Sequence, residues 1–330
     1  MKVLVTARLP EAVVGKIREA GHEVDMHLHM APLERDQLLN RMEGVAGLLS
    51  TITDRIDGEV FDRAPGLRVV ANYGVGFDHI DVAEATRRGI LVTNTPGVLT
   101  DATADLTFAL ILAVARRVVE GDHRTRSGKF QFWAPLHFLG TEVSGKTLGI
   151  VGLGRIGRAV ARRARGFDMQ VLYTARKPLG RDEEERLGVR FAPLDQLLAR
   201  SDFVSLHVPL TPETHHLIGA RELSLMKPFA YLINTARGPV VDETALLEAL
   251  RQRRIGGAGL DVYENEPQLT PGLADLQNVV LLPHVGSATV ETRTRMAQMA
   301  VENLLAGLSG HRPPHGLNWE AVQGKRGKGR

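Results

Sequence analysis

At 330 residues the chain is longer than one domain of ordinary size and predicts two. Hydrophobic residues make up 43% and charged residues 24%, which excludes disorder and fibrous repeats as the main state; cysteine is absent, which excludes disulfides, thiolate nucleophiles and cysteine-ligated metal centres. The net charge is +3, but Lys325, Arg326, Lys328 and Arg330 alone supply four positive charges, so the rest of the chain sums to −1 and no nucleic-acid partner is expected.

The first third alternates short apolar runs with helical segments. Strands are predicted at 3–6, 23–26, 47–51, 67–72 and 90–94, and helices at 11–20, 33–42, 60–63 and 82–88. This alternation predicts a parallel sheet covered on both faces. A single long helix is expected from about 100 to 126, and its section 106–119 is apolar on nearly every side, so it should be buried all round. Two settings would bury it: a position between domains, or a subunit interface. The longest apolar run, 108–115, is too short to cross a bilayer, which needs about 20 residues. No membrane partner and no secretory leader are expected, and the pattern fits a cytoplasmic protein.

A second series places strands at 147–151, 170–173, 190–191, 203–206, 231–234, 257–260 and 279–282, followed by a helix at 290–308. The last nine or so residues read as a solvated, disordered end, with a basic binding arm as the other reading.

The strongest local signal is Gly152-Leu153-Gly154-Arg155-Ile156-Gly157, which follows the strand at 147–151 and opens a helix. In that context a GxGxxG predicts dinucleotide binding. Gly152 permits the tight turn, Gly154 lets the backbone approach the pyrophosphate, and Gly157 allows close helix–strand packing. The anion sits on free N–H groups at the positive helix end, so Arg155 and Ile156 belong to the site. The next strand lacks the acid that would hold the ribose 2′-hydroxyl of NAD; no Asp or Glu stands between Asp168 and Asp182. Arg176, with Lys177 close by, would pair with the 2′-phosphate of NADP, and Thr174 would add a hydroxyl contact. NADP(H) is the preferred cofactor, with NAD(H) possible.

Three further segments place reactive side chains just after strands: Asn234-Thr235-Ala236-Arg237-Gly238, Asp261-Val262-Tyr263-Glu264-Asn265-Glu266, and Pro283-His284-Val285-Gly286. Ligands of open α/β sheets bind outside the carboxyl ends of strands. The loop Gly74-Val75-Gly76 leaves backbone N–H groups exposed and suits a carboxylate, with a plain turn as the alternative. Ser50 and Thr51 end a strand and would either meet a substrate hydroxyl or cap a loop.

On these motifs and their order, the chain resembles the D-isomer-specific 2-hydroxyacid dehydrogenase family, in its glyoxylate/hydroxypyruvate reductase branch. The resemblance runs from the loop at 73–78 to the Pro-His-Val-Gly segment. It implies two Rossmann-like parallel-sheet domains: a flavodoxin-like substrate domain, 1–98 with 286–330, and an inserted dinucleotide-binding domain, 99–285. The active site would lie in the cleft between them.

In the reaction so implied, His284 donates the proton in reduction and Glu266 orients its imidazole and favours its charged form. Arg237 holds the substrate carboxylate and polarises its keto oxygen. Val75 and Gly76 bind substrate, with Ser50 a further candidate. Thr103 would meet the cofactor phosphate, Asp261 the nicotinamide carboxamide, and Val208 and Pro209 the adenine or ribose pocket; Thr235, Ala236 and Gly286 complete the cofactor residues. No metal is expected. A homodimer is implied, with 106–119 and 133–138 at its interface and Trp133, His137 or Phe138 reaching the neighbouring site. Competing readings are a 2-ketogluconate-type or other D-2-hydroxyacid dehydrogenase, and a dinucleotide-sensing binding protein resembling the corepressors of this fold.

Overall fold

The computed structural model describes residues 1–326. Its contacts divide the chain into two units, Met1–Leu99 with Thr289 onward, and Thr100–Ala288.

The first unit is built on β1 (Lys2–Val5), β2 (Glu23–Met26), β3 (Val45–Ser50), β4 (Val69–Asn72) and β5 (Leu91–Thr93), all parallel in the order β2-β1-β3-β4-β5. This is the flavodoxin-like order, with its switch point between β1 and β3. Alternation along each strand sends side chains to two separate cores. Leu4, Leu48, Val70 and Val92 pack on one face against Leu38, Phe61 and Ala85 from the helices Arg35–Arg41, Gly58–Arg63 and Val82–Arg87. Val3, Val5, Leu49, Val69 and Leu91 pack on the other, against Ile17 of helix Glu11–Glu19 and Ala297, Val301 and Leu304 of helix Val290–Leu308. Fully burying each such aliphatic side chain contributes about 1.5–3 kcal/mol.

The second unit holds β6 (Thr147–Val151), β7 (Gln170–Thr174), β8 (Val189–Phe191), β9 (Phe203–Leu206), β10 (Tyr231–Asn234), β11 (Gly257–Leu260) and β12 (Val279–Leu281). They form one parallel sheet in the order β12-β11-β10-β9-β6-β7-β8. That is the doubly wound dinucleotide-binding arrangement with one strand added, and β6 and β9 flank its switch point. Both sheets are parallel and covered on both faces, as the α/β rhythm predicts.

Two expectations need correction. The helix expected over 100–126 is two helices, Thr100–Ala115 and Val118–Arg126, because Arg117 adopts a left-handed backbone with φ 56°. The Ala115 carbonyl, which would continue the helix, accepts the Thr141 N–H at 2.8 Å instead. Burial is therefore one-sided: Thr107, Phe108, Ile111 and Val114 are buried in the second unit, whereas Ala109, Val118 and Val119 are exposed. The helix packs on β10, β11 and β12 and along helix Arg155–Ala164, all within its own unit. The segment expected to be a disordered end is helical where it is described. Helix Trp319–Arg326 occupies its start and buries Val322 completely, while residues 327–330 lie outside the described residues.

Among the described residues no helix is long and apolar enough to cross a membrane, and no group of three or more His, Cys, Asp or Glu gathers as metal ligands.

Candidate active site

β6 runs directly into the glycine turn, and helix Arg155–Ala164 starts behind it. Gly152 has φ +95°, and a Cβ there would lie 2.7 Å from the His207 carbonyl oxygen. A Cβ on Gly157 would lie 2.2 Å from the Gly152 carbonyl oxygen. Both glycines are thus demanded by the chain's own packing. Gly154 is different. It has φ −76°, and a Cβ there would meet no protein atom within 4 Å. The protein's own packing does not require glycine at this position, and the open space fits a pyrophosphate brought against the backbone at a helix N-terminus.

The surroundings of the turn fit the rest of a dinucleotide. The Gly152 N–H donates to the Thr174 carbonyl at 3.0 Å, which ties the end of β7 to the turn. Val208 lies against Gly152, and Pro209 beyond it is exposed. Arg155, Arg176 and Lys177 are exposed, and none of them makes an ion pair among the described residues. The loop carrying Arg176 is anchored by Tyr173, whose buried ring brings its hydroxyl to Glu184 (2.8 Å) while accepting the Leu179 N–H (2.7 Å). The His207 backbone lies against this turn, and its side-chain Nε2 is 2.8 Å from the Ser205 hydroxyl. Burial pushes its imidazole down to about 3, so it is neutral at ordinary pH.

β10, β11 and β12 are neighbours, so the loops that follow them meet. Arg237 leaves β10 on a turn shaped by Asn234. This buried carboxamide accepts the Ala236 N–H at 3.0 Å and donates to the Arg237 carbonyl at 2.8 Å. Next to it, Gly238 lies so close to the loop after β11 that a Cβ would fall 1.8 Å from the Tyr263 carbonyl carbon. No other residue permits that contact, and it fixes the Arg237 turn against the segment carrying Glu266.

Glu266 Oε2 sits 2.8 Å from His284 Nδ1, and its Oε1 accepts the Tyr263 N–H at 2.9 Å. Burial is the largest influence on this carboxyl and pushes it up. The hydrogen bond and charge of His284, the Tyr263 N–H and the charge of Arg237 together outweigh it, so Glu266 titrates below the ordinary carboxylate range.

His284 has φ 53°, a left-handed backbone uncommon outside glycine. Asp261 holds it there. Its carbonyl accepts the His284 N–H at 2.9 Å, and its carboxylate accepts the Val285 and Gly286 N–H groups at 2.7 and 2.8 Å. Burial raises the Asp261 carboxyl more than these donors and the charge of His284 lower it. Asp261, expected beside a carboxamide, therefore also serves as the anchor of the histidine loop. Thr103 joins the same patch by donating to the Gly286 carbonyl at 3.2 Å, and Thr235 lies 3.1 Å from Thr107, which donates to the Thr103 carbonyl.

In the first unit, Val75 and Gly76 follow β4 and are half-buried. Ser50 departs from expectation. Its side chain is fully enclosed and its hydroxyl has no hydrogen-bond partner, so it is out of reach of an incoming substrate. Thr51 takes the loop-capping alternative, giving its N–H and hydroxyl to the buried Asp54 at 2.7 and 3.1 Å. The supporting roles of Asn72, Asn94 and Asn234 emerge only from the fold. Their visible signal is a polar amide ending an apolar strand.

Comparison with known proteins gives the same direction. Residues 108–286 match the family model described as D-isomer specific 2-hydroxyacid dehydrogenase, NAD binding domain. A protein of Thermococcus gammatolerans named glyoxylate reductase is 52% identical over 331 residues, covering 98% of each chain. A crystal structure from Thermus thermophilus superposes with TM-score 0.90 at 54% identity, over 96% of this chain and 100% of that one. An NADPH-dependent glyoxylate/hydroxypyruvate reductase from Sinorhizobium meliloti, solved with NADP and malonate, gives TM-score 0.83 at 35% identity, over 96% of both chains.

Proposed function

The chain belongs to the D-isomer-specific 2-hydroxyacid dehydrogenase family, and on that premise we propose that it reduces glyoxylate to glycolate and hydroxypyruvate to D-glycerate. It is an NAD(P)-dependent oxidoreductase. The observation that carries the reading is the Glu266–His284 pair at 2.8 Å, with Arg237 on the adjoining loop.

A dinucleotide held at the Gly152–Gly157 turn would supply the hydride that reduces C2 of the keto acid. The chain supplies everything else. Ionised Glu266 accepts a hydrogen bond from Nδ1–H of the His284 imidazolium, which leaves Nε2–H to protonate the carbonyl oxygen. Arg237 fixes the carboxylate with planar, permanently charged donors and draws electron density toward the keto oxygen. Asp261 maintains the backbone that aims His284. In the oxidative direction the neutral imidazole accepts the hydroxyl proton at Nε2.

Arg176 and Lys177 support a preference for NADP(H), because two cations stand where an NAD site would carry an acid. A homodimer is proposed from the segment at 130–139. There Phe130, Phe132, Trp133, Leu136 and Leu139 are exposed, Trp133 at 79% and Leu136 at 86%. His137 stacks on Phe132, and Phe138 lies under the Arg117 guanidinium at 4.1 Å, which leaves Trp133 as the aromatic free to reach a neighbouring copy.

Steady-state oxidation of NADPH and NADH with glyoxylate and with hydroxypyruvate tests the assignment. Turnover of these acids, at least about tenfold more specific with NADPH, is the expected outcome. Turnover with NADH alone would overturn the cofactor preference. Absence of turnover with both acids would overturn the substrate assignment. Light scattering at micromolar concentration tests the dimer, and a monomeric mass would reject it.

A further inference from the structure

The loop after β4 turns three successive carbonyls inward. Asn72 is fully buried and donates from Nδ2 to the carbonyls of Gly74 (3.1 Å) and Gly76 (2.8 Å). Asn94 donates to the Val75 carbonyl at 2.8 Å, and the Thr95 N–H donates to Gly74 at 2.9 Å. Asn72 Oδ1 lies 3.2 Å from His79 Nε2, which sets the direction of the amide: its donors face the loop and its acceptor faces the histidine.

The two ends of a peptide plane point opposite ways. With the carbonyls of residues 74, 75 and 76 drawn inward, the N–H groups of Val75, Gly76 and Phe77 turn outward, and none of them donates to an acceptor among the described residues. Consecutive outward N–H groups make an anion-binding concavity. A polar loop left to itself has no reason to adopt this arrangement; it exists because two buried carboxamides hold the carbonyl side.

We infer that Asn72, assisted by Asn94, is a positioning residue for carboxylate recognition: it locks the peptide planes of residues 74–77 with their N–H groups toward the substrate. This rests on the reading of the substrate as a 2-keto acid. Without the Asn72 donors, the Gly76 carbonyl loses its partner and the Gly74 carbonyl keeps only the Thr95 N–H, so the planes gain freedom to rotate and bring carbonyl oxygens toward the carboxylate in place of N–H groups. The damage falls on keto-acid binding, because neither asparagine touches the glycine turn or the Glu266–His284 pair.

The test compares wild type, Asn72→Asp and Asn94→Ala in steady-state glyoxylate reduction, with NADPH affinity measured separately by fluorescence titration and melting followed in parallel. Asn72→Asp keeps the side-chain shape but sets an acceptor against two carbonyls. It is expected to raise KM for glyoxylate by about tenfold or more while kcat stays within about threefold and NADPH affinity is unchanged. Its KM relative to wild type should fall as pH is lowered and the new carboxyl regains a proton to donate. Asn94→Ala should move KM in the same direction by less, and it keeps the test alive if Asn72→Asp does not fold. Unchanged KM in the folded variants, or parallel losses of kcat, KM and NADPH affinity, would overturn the inference. Wild type that reduces no 2-keto acid would instead overturn the reading beneath it.

Discussion

Glu266 and His284 are joined by a 2.8 Å contact between Oε2 and Nδ1, which assigns one imidazole nitrogen to the protein and leaves the other for chemistry. The depressed titration of Glu266 means that the carboxylate stays charged throughout the neutral range and into mild acid, so the partner of the imidazolium is always present.

Glu266→Gln keeps a hydrogen-bonding group but removes that charge. Reduction should slow by about a hundredfold, the lower end for a positioned acid–base group. The imidazolium loses its counter-charge, while NADPH binding at the glycine turn should be unchanged. Stopped-flow hydride transfer beside fluorescence titration of NADPH checks this; an equal loss of cofactor affinity would point to a wider structural change instead.

The glycine turn separates binding from folding. Gly154→Ala adds a methyl group that meets no protein atom within 4 Å, so its melting temperature should match wild type while NADPH affinity falls about tenfold or more. Gly157→Ala places its methyl 2.2 Å from the Gly152 carbonyl oxygen and should lose about 1–3 kcal/mol of stability. Thermal melts beside fluorescence titration distinguish the two.

Arg176→Ala should lower kcat/KM for NADPH by roughly tenfold, about 1.4 kcal/mol, and leave NADH almost untouched. An equal loss with both cofactors would place Arg176 on a part of the dinucleotide they share.

The buried His207 ring gives the protein an acid-sensitive element. Its folded value is about 3, whereas an unfolded histidine titrates near 6.5. Between those values the unfolded chain binds a proton that the folded chain refuses. Stability is therefore intact above about 6.5 and falls as pH drops, by at most about 1.4 kcal/mol per pH unit. His207→Asn should flatten that slope in urea titrations run at neutral and at mildly acidic pH; parallel slopes in the two proteins would refute it.

Much of the architecture is legible without coordinates. The strands at 147–151, 203–206, 231–234 and 257–260 and the helix at 290–308 fall where their apolar runs predict, because a strand covered on both faces leaves little freedom in where it starts and stops. The glycine turn is legible too, since its glycines stand at a spacing that packing and phosphate both require. What is not legible depends on tertiary partners. Nothing local marks Arg117 as a break; the break appears where Thr141, distant in sequence, takes the Ala115 carbonyl. Ser50 reads as a strand-end hydroxyl open to ligand, but neighbouring elements enclose it. Asp261 reads as a cofactor contact, and only the fold shows its carboxylate gripping Val285 and Gly286, more than twenty residues onward.

The discontinuity of the first unit has a consequence for how the molecule is made. Ala297, Ala300, Val301, Leu304 and Leu308 complete one face of a sheet whose first strand is Lys2–Val5. A ribosome therefore delivers the opening five strands long before the helix that covers them. The second unit, Thr100–Ala288, is one uninterrupted stretch whose parts all emerge earlier than that helix. Synthesis accordingly favours the reverse of the usual N-terminal-first order: the nucleotide-binding half can close its core during translation, while the half begun before it stays exposed along β3 and β4 until residues 290–308 have been made.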